Sequence, residues 1–261
     1  MSPAELIVIT AVGLAVGFVG GFAGIGGAPF LIFALGALVD WPQHLAQGTV
    51  IAIMLGPMSL PAVWVMWDRV RLYLRLITIG VLTYALFSYF GASLAYEFSS
   101  DQLRLLFAGF LFLLGLRSIV LDGVLGGRSE TRGERKPLLA SSVPAFIVVG
   151  ALVGAVGGFF GVGAGVILIP ILMWLFGFGK DDARAISLAI LLPPVSIGAV
   201  VKYQAMGDVA WVAVLVGFFA YFASNYWGAK TGRRQKPQTF HMVYGFLLLA
   251  MGVLYVIRTI D

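Results

Sequence analysis

Apolar runs of roughly 20 residues recur along the whole chain, parted by short polar stretches, enough for seven to ten crossings of a hydrocarbon core about 30 Å thick. Ordinary spans are predicted near 46–67, 76–95 and 105–122, and again near 185–203, 209–228 and 240–257. Two further stretches, Ala4 to Val39 and Ser142 to Phe178, are too long for one span. As a straight helix the first would reach about 54 Å at 1.5 Å per residue. Glycine clusters interrupt both, GGFAGIGGAPF over 20–30 and FFGVGAGV over 159–166. A hairpin or re-entrant pair that folds back at the glycines is therefore expected in each.

The two stretches are copies of one another. At a constant offset of 137 positions, Gly24 falls on Gly161, Gly17 on Gly154, Pro57 on Pro194, Ser59 on Ser196 and Tyr84 on Tyr221. Roughly two fifths of the positions from Val12 to Val63 are identical to their partners, and glycine, proline and serine in register over such a distance exceed what apolar composition produces. The predicted organisation is a first membrane repeat over 1–120, a charged, Gly-rich linker over 121–140 expected to face the cytoplasm, and a second membrane repeat over 141–261. The fold class is an all-α polytopic membrane protein. Each repeat is a glycine-broken helical hairpin followed by three transmembrane helices.

Composition narrows the function classes. With 60% hydrophobic and 11% charged residues and a mean hydropathy of +0.99, the chain reads as an integral membrane protein. The segment MSPAEL lacks the basic residues of a cleaved signal, so it reads as part of the mature fold. The net charge of +5 comes from short basic clusters between apolar runs, which orientation in the membrane explains without nucleic acid. No cysteine is present, which excludes disulfides, thiolate metal sites and persulfide relays. His44 and His241 belong to no metal motif, and no cofactor is expected. Gly91-Ala92-Ser93-Leu94 lacks the second glycine of a nucleophile turn because Ala95 stands there. The reading is of a protein that is not an enzyme.

Charge also orients the repeats. Basic residues gather at Arg69, Arg71 and Arg75, at Arg128 to Lys136, and at Lys230 to Lys236, whereas the loops offset by 137 from the first and last of these carry none. All three clusters face the cytoplasm only if the glycine stretch makes an even number of crossings, which inverts the second repeat relative to the first. Both termini and the 96–104 loop are then outside. The alternative is eight plain spans with parallel repeats.

A helix opened inside lipid leaves backbone groups unpaired at several kcal/mol each, so it persists only where protein or a watery cavity satisfies them. Glycine lets a ligand approach the main chain, and helix N-termini present N–H groups to an anion. Gly24, Gly26 and Gly27 in the first repeat, with Gly161, Gly163 and Gly165 in the second, are the candidate turns; the first helix should restart near Pro29. Gly13-x-x-x-Gly17 and Gly150-x-x-x-Gly154 read instead as helix-packing faces. Polar residues at matching depths complete the substrate-binding candidates: Ser59 with Ser196 beside the paired prolines, Ser88 with Asn225, Gln47 with Arg184, and Thr49 and Ser187 close by. Each hydroxyl could equally bond its own helix, and Arg184 could pair with Asp181 or Asp182. Lys202 should snorkel, Arg69 and Arg71 should anchor topology, and Trp41, Trp64, Trp67, Tyr96, Trp211 and Trp227 should form interfacial belts.

Duplicated Gly-x-Gly-Gly and Gly-x-Gly-Ala-Gly segments, each about 20 residues into a half, resemble the signature of the sulfite exporter family TauE/SafE. The resemblance covers nearly the whole chain. It departs where Ala28 and Phe33 stand at the positions of Gly165 and Pro170, so the two turns contribute unequally. It implies a multi-pass permease of the cell (inner) membrane that exports sulfite, organosulfonates or related anions through a central site. The expected partners are a small anionic substrate and the lipid bilayer, with no nucleic acid; a homo-oligomer stays open. An anion channel is the alternative function, and an intramembrane enzyme the remotest. No acid falls at mid-membrane, which favours voltage-driven exit, while His44 or water leaves proton coupling open.

Overall fold

The computed structural model describes residues 1–23, 27–57, 59–120, 143–163, 165–192, 194–232 and 237–260. Among these the protein is all helix, with no strand. Among the described residues six helices have 18 residues or more, α1 (Pro3–Ala23), α6 (Leu74–Ala95), α7 (Ser100–Arg117), α8 (Val143–Phe160), α12 (Trp211–Gly232) and α13 (Pro237–Ile260), and five of them, all but α12, are both long and apolar enough to cross a bilayer. At 18 to 24 residues each, they reach about 27–36 Å. Their apolar side chains face outward at many points, Leu82, Leu113, Leu152 and Phe219 among them, as a lipid solvent requires.

Between them lie half-length helices: α2 (Ala28–Leu38), α3 (Gln43–Ile53), α4 (Leu60–Val65), α5 (Trp67–Val70), α9 (Gly165–Trp174), α10 (Lys180–Ile190) and α11 (Ile197–Ala205). The long stretches break at their glycines: α1 ends at Ala23 and α2 begins at Ala28, with Pro29 in its first turn, and α8 and α9 are parted at 161–164. The spans expected as continuous over 46–67 and 185–203 differ. Each is split, the first between Ile53 and Leu60 around Pro57, the second between Ile190 and Ile197 around Pro194. Proline has no N–H to donate and its ring clashes with the preceding turn, which stops each helix part-way.

The helix ends follow from local chemistry. Ser99 and Gln102 form a reciprocal capping box at the start of α7, and α13 begins on Pro237. The α2 and α9 stops share one design at the 137-position offset. The Trp41 N–H bonds back to the Leu35 carbonyl at 3.3 Å and the Phe178 N–H to that of Leu172 at 3.1 Å, each across a residue with positive φ, Asp40 (54°) and Gly177 (71°).

The chain forms two compact units: unit one comprises Met1–Ala46, Phe98–Gly133 and Phe219–Asp261, and unit two Gln47–Glu97 and Glu134–Phe218. Each draws on both sequence repeats. In unit one a Cβ on Gly17 would lie 2.5 Å from the Tyr221 carbonyl oxygen and clash with Ser224; in unit two a Cβ on Gly154 would lie 2.6 Å from that of Tyr84. Gly150 meets Thr83 as tightly. These glycines let helices touch at the backbone, as their spacing predicts. The linker over 121–140, and Arg233, Arg234 and Lys236, lie outside the described residues.

Candidate functional site

Unit two includes the interruptions between Ile53 and Leu60, between Phe160 and Gly165 and between Ile190 and Ile197. In α3, among apolar neighbours, Gln47 is fully buried. Its Oε1 accepts a hydrogen bond from the Tyr203 hydroxyl at 3.0 Å, and that hydroxyl also reaches the Gly158 carbonyl at 3.3 Å. The Gln47 Nε2 has no partner among the described residues. A buried amide donor without an acceptor costs roughly 1–3 kcal/mol, so it marks a place where a ligand or water belongs.

The second glycine turn lies against this amide. Gly161 has φ +69°, and a Cβ there would stand 2.9 Å from the Gln47 Cβ and 3.1 Å from its Cα. Only glycine fits, on both conformational and steric grounds. Gly163 has φ +68° and open space where its side chain would project, so its main chain is approachable. Gly165 begins α9, so the turn delivers the chain into the N-terminal, N–H-presenting end of a ten-residue helix.

The other predicted residues separate by what they touch. The Ser88 hydroxyl donates to the Ala85 carbonyl at 2.8 Å and accepts from the Ala199 N–H at 3.2 Å, capping α11 from α6. Thr49 accepts from the Ala210 N–H at 3.1 Å. Ser88 follows the own-helix alternative, whereas Thr49 serves the backbone of another element. Ser59, just past Pro57, has a buried hydroxyl without a partner among the described residues, whereas Ser196 opens α11 without a side-chain cap bond. Ser187 is buried on α10, but Arg184 is exposed on the same helix, and Asp181 and Asp182 pair with Arg69 instead. Arg69 thus does more than anchor topology: it joins the α5 turn to the start of α10. In unit one, Gly27 caps α2, its N–H donating to the Tyr221 hydroxyl at 3.3 Å, and Asn225 lies half-buried one turn further along α12. Gly24 and Gly26 lie outside the described residues.

The sequence reading missed Tyr203, which orients Gln47; in unit one it also passed over Gln43, a fully buried amide with both polar atoms unpartnered among the described residues. The signal for Gln43 was two amides at i, i+4 in an apolar helix. Beside the site, the Tyr96 hydroxyl donates to Asp208 at 2.7 Å and the Lys202 ammonium sits 5.5 Å over the Tyr96 ring. Burial, then the neighbouring Asp208 carboxylate, pushes the Tyr96 phenol above its ordinary range. Trp64, Trp67, Trp211 and Trp227 are exposed, as an interfacial belt requires, but Trp41 is buried in the fold.

A membrane chain with paired helix breaks and a buried orphan amide has the parts of a permease, and the family model for sulfite exporter TauE/SafE matches residues 8–255. The chain belongs to the TauE/SafE family. It is 24% identical over 267 residues to the probable membrane transporter protein YunE of Bacillus subtilis (strain 168), covering 95% of this chain and 96% of that one. It is 26% identical over 214 residues to the probable membrane transporter protein YdhB of the same organism, covering 82% and 85%. The probable membrane transporter protein MJ0441 of Methanocaldococcus jannaschii is 27% identical over 190 residues, 68% of this chain and 66% of that one. No solved structure matches. This TauE/SafE member is a multi-pass membrane transporter, its bilayer met by the long apolar helices described above.

Proposed function

We propose that the protein exports a small sulfur oxyanion, sulfite or a short organosulfonate, from the cell through a central site between two inverted repeats. The observation that carries this reading is the unpartnered Gln47 Nε2 beside the Gly161–Gly163 turn. An amide donor, the approachable main chain of Gly163 and the start of α9 present N–H groups to a negative head group. Gln47 comes from the first repeat and Gly158, Gly161 and Tyr203 from the second. The unpartnered Ser59 hydroxyl adds a further donor in unit two.

Ion pairs and hydrogen bonds within the units support inversion. Arg69 meets Asp182 at 2.8 Å and the Tyr96 hydroxyl meets Asp208 at 2.7 Å in unit two; Arg258 meets Asp40 at 3.6 Å in unit one. Inverted repeats put both members of each pair at one membrane face. Parallel repeats would hold each pair about 30 Å apart, across the hydrocarbon. The positive-inside rule then places Arg69 inside and Tyr96 and Asp40 outside.

Beside the site the Asp208 carboxylate accepts a hydrogen bond from the Tyr96 hydroxyl at 2.7 Å, and no acid falls at predicted mid-membrane in the sequence. An interior-negative potential favours anion exit by about 2.3 kcal/mol per charge per 100 mV, so the exporter needs no coupled ion. Proteoliposomes under an imposed potassium diffusion potential test this. Sulfite or methanesulfonate flux should saturate and follow the voltage. Flux that ignores voltage but tracks a pH gradient overturns the uncoupled mechanism, and non-saturating flux at pore-like rates makes the protein a channel.

A further inference from the structure

Unit one contains a polar cavity of about 250 Å³ lined by Gly36, Asp40, Arg104, Tyr255 and Arg258. Gly36 and Asp40 belong to the end of α2, Arg104 to the second turn of α7, and Tyr255 and Arg258 to the last turns of α13. Two guanidinium groups therefore line one small space, a costly arrangement unless something negative joins them.

Neither arginine is fully used. The Arg104 side chain is only 19% exposed; its partner Asp101 stands 3.8 Å away and is 75% exposed, so water screens that pair. The Arg104 Nε is buried without a hydrogen-bond partner among the described residues. Arg258 donates to the Ala37 carbonyl and lies 3.6 Å from the almost fully exposed Asp40 carboxylate. Tyr255 spends its hydroxyl on the Ile32 carbonyl, so its ring serves as a wall, with the Arg104 guanidinium 5.9 Å over it.

Asp40 strengthens the case. Its helix stop requires positive φ, which glycine supplies without strain and does supply at the repeat partner Gly177. In the first repeat an aspartate takes the strain, and its carboxylate faces Arg258. The second repeat has Met173 and Gly177 at the positions of Gly36 and Asp40, so the shared architecture does not require this cavity.

We propose that this cavity is an oxyanion site in which Arg104 and Arg258 clamp a small anionic group with at least two free oxygens, such as a sulfonate or a phosphodiester, and Asp40 occupies Arg258 when the site is empty. The group is presented by a solute or by a lipid headgroup. The site stands independently of the Gln47 turn.

The test uses purified protein in dodecyl maltoside, a detergent without phosphate, titrated with sodium methanesulfonate, read calorimetrically, in wild type and in Gln47→Leu. Saturable binding should persist in Gln47→Leu. Arg104→Gln and Arg258→Gln should each weaken it at least tenfold, and Asp40→Asn should tighten it severalfold by removing the internal competitor. Adding phosphatidylglycerol to the micelles distinguishes the sources: loss of methanesulfonate binding there identifies a lipid headgroup as occupant, and unchanged binding identifies a solute. Absence of saturable binding in the phosphate-free detergent, or affinity that neither arginine substitution lowers, overturns the proposal. Should the arginine variants not fold, Asp40→Asn decides alone, and unchanged or weaker affinity refutes the site.

Discussion

Replacing Gln47 with leucine separates a binding role from a structural one, because the two roles predict opposite signs for stability. The substitution removes the hydrogen bond from the Tyr203 hydroxyl, a loss of about 1 kcal/mol, but Tyr203 keeps the Gly158 carbonyl as acceptor. It also removes a buried donor with no partner, a gain of roughly 1–3 kcal/mol. Leucine is close to glutamine in volume and the surroundings are apolar, so the net change should lie between zero and a modest stabilisation. Affinity should move the other way. A hydrogen bond to a charged group contributes about 1.5–3 kcal/mol, so its loss weakens anion binding roughly 10- to 150-fold. The assay pairs detergent-solubilised thermal unfolding with concentration-dependent flux in proteoliposomes, normalised to inserted protein. Gln47→Glu, nearly the same shape but anionic, should abolish flux altogether. A Gln47→Leu protein that unfolds many degrees earlier yet transports normally per folded molecule would refute the reasoning, since the amide would then serve packing alone.

Gly161→Ala should destabilise by roughly 2–5 kcal/mol, combining left-handed strain with overlap on Gln47, whereas Gly163→Ala, which meets open space, should cost only about 1–2 kcal/mol; thermal unfolding of both checks the difference. Gly163→Leu should insert normally yet block flux by filling that opening, and near-normal transport would assign the glycines to packing elsewhere. Because the chain has no cysteine, single cysteines at positions 71 and 101 report topology cleanly: an impermeant maleimide added to intact cells should label the second and spare the first. A double-mutant cycle between Arg69 and Asp182 should give little coupling, and less at high salt, since both side chains are partly exposed to solvent.

The sequence alone determined the class and the helix breaks at glycine, because these depend on composition and on backbone chemistry local to a few residues. The contacts of Gly17 with Tyr221 and of Gly154 with Tyr84 lie 137 positions apart, but only the coordinates name these partners. Pro57 and Pro194 were visible as kinks, but that they split their spans outright was not, since a proline in lipid can be tolerated wherever neighbours satisfy the freed carbonyls. The tertiary structure decided which polar residues are spent. Ser88 and Thr49 look like Ser59 in a sequence, yet the first two are consumed by N–H groups more than 100 positions away and the third is not. Gln47 became the focus only because Tyr203, 156 positions along the chain, engages one end of its amide and leaves the other free, and such a vacancy is a property of packing that no local pattern encodes.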